Sequence, residues 1–214
     1  MGMELMDDSF NSMMLMYQAA LKVLETQIEI INNDFRYIKK YNPIEHIKTR
    51  IKSVDSLERK LKAKNLDFTV KNIEENINDV VGVRIVCSFL EDVNELIDII
   101  KKSNLIKVVK EKDYITNPKK SGYRSYHLVV EVPVSLLSGK YNVRAEIQIR
   151  TLAMDLWASL EHKLSYKSDY STLDIERRLY EISDELNNID DEMVELVETE
   201  NKIKMLYELE NETK

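Results

Sequence analysis

The run Val143-Arg-Ala-Glu-Ile-Gln-Ile-Arg150 constrains the chain most. Its odd positions, Val143, Ala145, Ile147 and Ile149, are apolar, and its even positions, Arg144, Glu146, Gln148 and Arg150, are polar. Strict alternation specifies a β-strand with one face in a core. The other face carries a carboxylate between two guanidiniums, with an amide beside it. A carboxylate can hold a metal ion and an arginine suits a phosphate. A solvated strand face carries opposite charges too, so the other motifs have to decide between the two readings.

No apolar run reaches the roughly 18 residues of a membrane span, and the N-terminus lacks the pattern of a secretory signal. The single cysteine, Cys87, lies in an apolar run and reads as a small buried hydrophobe. Together these give the expectation of a reducing, cytoplasmic setting. The net charge of -7 argues against broad nucleic-acid binding. Charge is uneven, however. Arg36 to Lys64 holds ten Lys or Arg against three acids, whereas Leu173 onward holds fourteen acids against five Lys or Arg. The basic segment therefore suits a local anionic ligand, or else a solvated helix face.

Apolar residues from Phe10 to Ile38 recur at helical steps, predicting a long amphipathic helix over about 10–40. Asn42-Pro43 breaks it. Ile44, Ile47, Ile51, Val54, Leu57 and Leu61 then predict a second helix from Pro43, with Arg50, Lys60 and Lys64 near one flank. A mixed region follows: strand 80–87, helix 91–102, strand 105–109, a cationic loop 117–122, strands 126–134 and 141–150, and a helix 151–166. Ile175, Leu179, Ile182, Leu186, Ile189, Met193 and Leu196 keep a 4-3-4-3 spacing. Such a heptad seam needs an apolar partner, either the chain's own N-terminal helix or another subunit, and the second is favoured.

Four clusters carry chemistry. Arg50-Ile-Lys-Ser-Val-Asp-Ser56 continues into Lys60, Lys62 and Lys64. Asp79-Val-Val-Gly-Val-Arg-Ile85 puts an acid at the mouth of a buried strand, and Gly82 permits close approach. Ser121-Gly-Tyr-Arg-Ser-Tyr-His127 packs two aromatics, a guanidinium and an imidazole into a loop-to-strand junction. Glu146 to Arg150 leads into Ala153-Met-Asp-Leu-Trp157. Two acids on separate strands among many cations suit a magnesium-bound polyphosphate.

From about Pro43 to Lys167, these motifs in this order resemble the synthetase domain of the RelA/SpoT group, within it the stand-alone small alarmone synthetases, or GTP pyrophosphokinases. The resemblance implies an α+β fold: a mixed β-sheet flanked by helices, similar to nucleotidyltransferases, with long N- and C-terminal helices. It divides the chain into an N-terminal helix (1–42), a catalytic domain (43–167) and a heptad-patterned oligomerisation helix (168–214), with a tetramer expected. The activity implied is transfer of the β,γ-pyrophosphate of ATP to the 3′-hydroxyl of GTP or GDP (GMP is a further candidate), with Mg2+ as cofactor.

The implied roles follow position by position. Asp79 and Glu146 correspond to the metal-binding acids, and Glu146 to the group that deprotonates the 3′-hydroxyl. Arg50, Lys52, Ser56, Lys60 and Lys62 match the ATP-phosphate segment, with Arg84 also facing phosphate and Lys112 beside the adenine. Lys119, Tyr123, Arg124, His127, Gln148 and Asp155 fall on the acceptor side, Tyr123 stacking on guanine and Asp155 accepting its N–H donors. Lys112 replaces an arginine that sandwiches adenine in some relatives, which bears on adenine selectivity, and Ala63 replaces a basic residue of the phosphate segment, where Lys62 and Lys64 flank it. Only His46, His127 and His162 are present, too few for the family's hydrolase domain, so synthesis without hydrolysis is implied. A silent module binding guanine nucleotide or single-stranded RNA is the alternative. The pair of acids speaks against it.

Overall fold

The computed structural model describes residues 2–167 and 173–212. A helix, α1 (Gly2–Lys39), leads into β1 (Ile44–Ile51), α2 (Val54–Lys62), α3 (Val70–Asn76) and β2 (Val81–Cys87). Then come α4 (Leu90–Lys102), β3 (Lys107–Asp113), β4 (Tyr126–Leu136), β5 (Gly139–Thr151), α5 (Leu152–Lys167) and α6 (Leu173–Glu212). The strands form one sheet in the order β1-β2-β5-β4-β3. Only β2 and β5 run parallel, with Val81 opposite Ala145; the other neighbours are antiparallel. The fold is thus the α+β arrangement expected: a mixed sheet with long terminal helices.

Alternation determines which face is buried. Val81, Val83, Ile85, Val143, Ala145, Ile147 and Ile149 are buried, joined on the same face by Leu128, Val130 and Val132. Onto this face α1 brings Met13, Tyr17, Ala20, Leu24 and Ile28, while α4 brings Val93, Leu96, Ile97 and Ile100, all in one core cluster. Burying each such side chain contributes about 1.5–3 kcal/mol. The even positions of β5 are thereby left on the opposite, open face.

One element corrects the sequence reading. Residues 44–51 are a strand, not the start of a helix. A register shift between Ile44 and His46 inserts one extra residue. That bulge makes the strand's apolar spacing three instead of two, which imitates a helical step. Beyond the bulge the period of two is regular: Ile47, Thr49 and Ile51 alternate with His46, Lys48 and Arg50. Only α2 is helical in this segment, so Arg50 and Lys60 belong to different elements. Strand β3 also lies two to four residues later than 105–109, and α3 is an additional helix, begun by Thr69, whose side chain accepts from the Asn72 N–H at 3.1 Å.

Helix α6 uses its heptad pattern unevenly. Leu179, Ile182 and Leu186 are half-buried, whereas Ile175, Ile189, Met193 and Leu196 are 42–63% exposed. Its fully buried positions are polar, Ser183 and Asp190. Asp190 accepts from the Thr151 hydroxyl at 2.6 Å, and the Trp157 indole donates to the Leu179 carbonyl at 2.8 Å. Trp157, 4% exposed, thus packs in the core as its position suggests.

Candidate active site

Strand register assembles the site in rows across the open face. Lys48, Arg84, Gln148, His127 and Lys112 lie side by side, one from each strand. The next row is Arg50, Gly82, Glu146, Val129 and Lys110. Strand pairing therefore gathers the cations of β1, β2 and β3 into a floor around one carboxylate on β5. Gly82 keeps this floor open. A Cβ there would stand 3.4 Å from Cγ and Nε of Arg50, narrowing a cleft of about 220 Å³ lined also by Lys48, Arg84 and Gln148.

Asp79 and Glu146 line an adjoining cavity of about 250 Å³ with Lys60, Lys64, Lys110 and Lys112. Asp79 precedes β2 and is 8% exposed. Lys52 reaches its Oδ2 at 2.8 Å and Lys60 its Oδ1 at 2.6 Å. Burial alone would raise its pKa, but these two lysines outweigh burial and hold the carboxyl below its ordinary range. Glu146 behaves likewise: burial raises it, while His127 and Gln148 lower it further, leaving it below the ordinary carboxylate value. Two ionised carboxylates in one cavity suit Mg2+, which binds through one or two carboxylates and completes its shell with water and phosphate oxygens. Among the described residues no group of three or more His, Cys, Asp and Glu is placed to hold a metal ion.

Glu146 also closes a ring of side chains. Arg150 donates to the Tyr123 hydroxyl at 2.9 Å, and that hydroxyl lies 2.8 Å from Nε2 of His127. Nδ1 of His127 is 3.4 Å from Oε1 of Glu146. On the other side Arg150 donates to Oε1 of Gln148 at 2.9 Å, and the Gln148 amide donates to Oε2 of Glu146 at 2.8 Å. The donors run consistently in one direction. Arg150 can only donate, so the Tyr123 hydroxyl is free to give its proton to Nε2, and Nδ1 then carries a proton toward Glu146. Both arms end on the carboxylate.

Asp155, 7% exposed, sits behind this ring. Its Oδ1 accepts from Arg150 at 3.1 Å and Arg84 at 3.3 Å, and its Oδ2 is 3.6 Å from His46. Tyr123 stands edge-on to Tyr114, His127 and Trp157. Lys119 lies over the rings of Tyr114 and Tyr123 at 4.8 and 4.5 Å, an aromatic and cationic corner suited to a planar base.

Most of the residues singled out in the sequence converge here: Arg50, Lys52, Lys60, Asp79, Arg84, Lys112, Lys119, Tyr123, His127, Glu146, Gln148 and Asp155. Three stand apart. Lys62 is exposed on α2. Ser56 sits in the first turn of α2, bonded to the Ser53 hydroxyl at 2.9 Å. Arg124 turns away, donating to the Ile115 carbonyl and to Asp184. The sequence reading did not assign roles to Arg150, Tyr114, Lys110 or His46. Arg150 stood in the alternating run, but only its 2% exposure marks it as more than a solvated end. Tyr114 gave no signal.

Residues 49–171 match the family described as a region found in RelA / SpoT proteins. The chain is 46% identical over 160 residues to the GTP pyrophosphokinase YwaC of Bacillus subtilis, spanning 75% of this chain and 76% of that protein. The crystal structure of small alarmone synthetase 1 from Bacillus subtilis bound to its product pppGpp superposes with a TM-score of 0.81 at 34% identity, covering 89% of this chain and 97% of that one. The same enzyme bound to AMPCPP gives 0.76 at 32% identity, covering 91% and 99%.

Proposed function

Because this chain belongs to the RelA/SpoT family, as a GTP pyrophosphokinase of the small alarmone synthetase type, we propose that it transfers the β,γ-pyrophosphate of ATP to the 3′-hydroxyl of GTP or GDP. In that reaction the 3′-oxygen forms a bond to the β-phosphorus, the bond between the α,β-bridging oxygen and the β-phosphorus breaks, and AMP leaves. The products are guanosine penta- or tetraphosphate. The observation that carries the reading is Glu146, a carboxylate held ionised at the meeting point of the cationic floor and the aromatic corner.

Glu146 takes the 3′-hydroxyl proton. Its depressed pKa keeps it ready at neutral pH, and the Gln148 and His127 contacts fix its orientation. Arg50, Lys52, Lys60 and Arg84 offset charge on the transferred group, with Lys112 beside the adenine and Ser56 and Lys62 at the periphery of that segment. Tyr123 stacks on guanine, Asp155 accepts its N–H donors, Lys119 meets the acceptor's phosphates, and His127 and Gln148 orient its ribose. Asp79 and Glu146 would hold Mg2+, which when bound neutralises phosphate charge. The exposed seam of α6 supports a homo-oligomer. No helix among the described residues is long and apolar enough to cross a membrane.

The test is a nucleotide-separation assay with ATP and magnesium, adding GTP, GDP or GMP in separate reactions. AMP appearing in step with a guanosine product two phosphates heavier supports the proposal. Nucleotide binding with no acceptor modified refutes it.

A further inference from the structure

The loop that carries Tyr123 is held by the C-terminal helix. Gly122 has φ +91°, and a Cβ there would stand 2.8 Å from Cβ of Ser183 and 3.2 Å from the Tyr180 backbone. The loop backbone is therefore pressed directly on α6. Ser183, 4% exposed, donates its hydroxyl to the Gly122 carbonyl at 2.5 Å. Two residues on, Arg124 spans a gap: one Nη donates to the Ile115 carbonyl at 2.9 Å and the other to Oδ1 of Asp184 at 2.9 Å. Tyr123 lies between these two anchors. Its ring contacts Trp157, whose indole N–H is itself bound to the α6 backbone.

We infer that α6 is a strap that sets the acceptor platform, with Ser183 and Asp184 as positioning residues acting through Gly122 and Arg124 on Tyr123. The inference rests on the acceptor site proposed above. Ser183 and Asp184 act on the backbone and on Arg124, fixing the loop on both sides of the ring on which the base stacks. A loop fixed before binding costs less to order when the nucleotide arrives. Losing an anchor should therefore weaken the acceptor and spare ATP, whose phosphate segment sits on β1 and α2.

Trp157 is the only tryptophan, so its emission reports the strap and the platform without any turnover. The experiment compares wild type with Asp184→Lys, Asp184→Asn and Ser183→Ala. Glu185→Lys serves as a control of equal charge change, since Glu185 pairs with Arg178 and not with the loop. Binding of GDP is followed by Trp157 emission, and the KM values for acceptor and ATP by the separation assay. Asp184→Lys should weaken GDP binding and raise the acceptor KM roughly fivefold, the upper range for an ion pair whose carboxylate is half-exposed. The ATP KM should stay within about twofold. Asp184→Asn, whose amide oxygen still accepts from Arg124, should restore most of the binding. Ser183→Ala should move in the same direction as Asp184→Lys. Equal shifts in both KM values, no shift in either, or a matching effect of Glu185→Lys overturns the inference. If wild type binds GDP yet transfers nothing, the synthetase reading fails while the strap is still judged on GDP binding. Absence of any GDP binding by wild type overturns the strap as well.

Discussion

Replacing Arg150 by methionine tests whether one buried guanidinium supports both halves of the site. The side chain is 2% exposed and donates to Asp155, Tyr123 and Gln148 at 2.9–3.1 Å, while its Nε is buried without an acceptor. Each charge-assisted bond contributes roughly 1.5–3 kcal/mol. Several kcal/mol of desolvation return when the charge is removed. The net loss expected is about 3 kcal/mol, since Asp155 keeps Arg84 at 3.3 Å as a partial counter-charge. For a chain of this size that lowers Tm by about 6–12 °C. Urea unfolding followed by circular dichroism measures it. The sharper test is the pair Arg150→Met with Asp155→Leu. Removing both charges leaves no unpaired ion at the buried Arg150 position, and Arg84, which loses the same carboxylate, is 31% exposed to solvent, so the double variant should lose less than the sum of the singles. A single-variant loss under about 1 kcal/mol, or a double-variant loss equal to the sum of the singles, would refute the keystone role.

Three other outcomes follow. Glu146→Gln should cut transfer by at least about a hundredfold while the protein stays folded, because it removes the base and keeps the shape; near-full transfer in the separation assay would remove Glu146 from the mechanism. Asp79 and Glu146 titrate below their ordinary values of 3.8 and 4.5, so their contribution to stability is complete above those values and lost as pH falls through the lower folded ones; denaturant midpoints should be flat from neutrality to about pH 5 and fall below it, and a fall already at pH 6 would contradict the depressed values. Burial raises the Cys87 thiol to about 12, so a thiol reagent at pH 8 should label it only in denaturant; rapid labelling of the folded protein would contradict its 0% exposure.

How far the sequence foretold the molecule depends on how local each signal was. The alternation of β5 revealed both the core face and the row containing Glu146, because side-chain period alone decides it. The β1 bulge defeated the same logic. An extra residue at Glu45 turned a period of two into an apparent helical step, so Lys48 and Arg50 were read on a helix although they stand on β1. Arg124 matched an acceptor motif by position, but its partner Asp184 lies sixty residues on, and no spacing rule reaches so far. The heptad seam of α6 was legible as a pattern. That its buried positions would be Ser183 and Asp190 was not, because polar groups become visible as core only when their partners are known.

The parallel pairing of β2 with β5 has a consequence for the birth of the enzyme on the ribosome. These central strands meet only after α4, β3 and β4 have been made, so Asp79 waits for Glu146 through most of synthesis. Long-range parallel pairing closes slowly. Even a nascent chain that has completed β5 still lacks Ser183 and Asp184 to seat its tyrosine. A prefix that ends before β5 lacks one of the two acids, one that ends before α6 lacks the contacts on the tyrosine loop, and full competence should arrive late, after α6 docks.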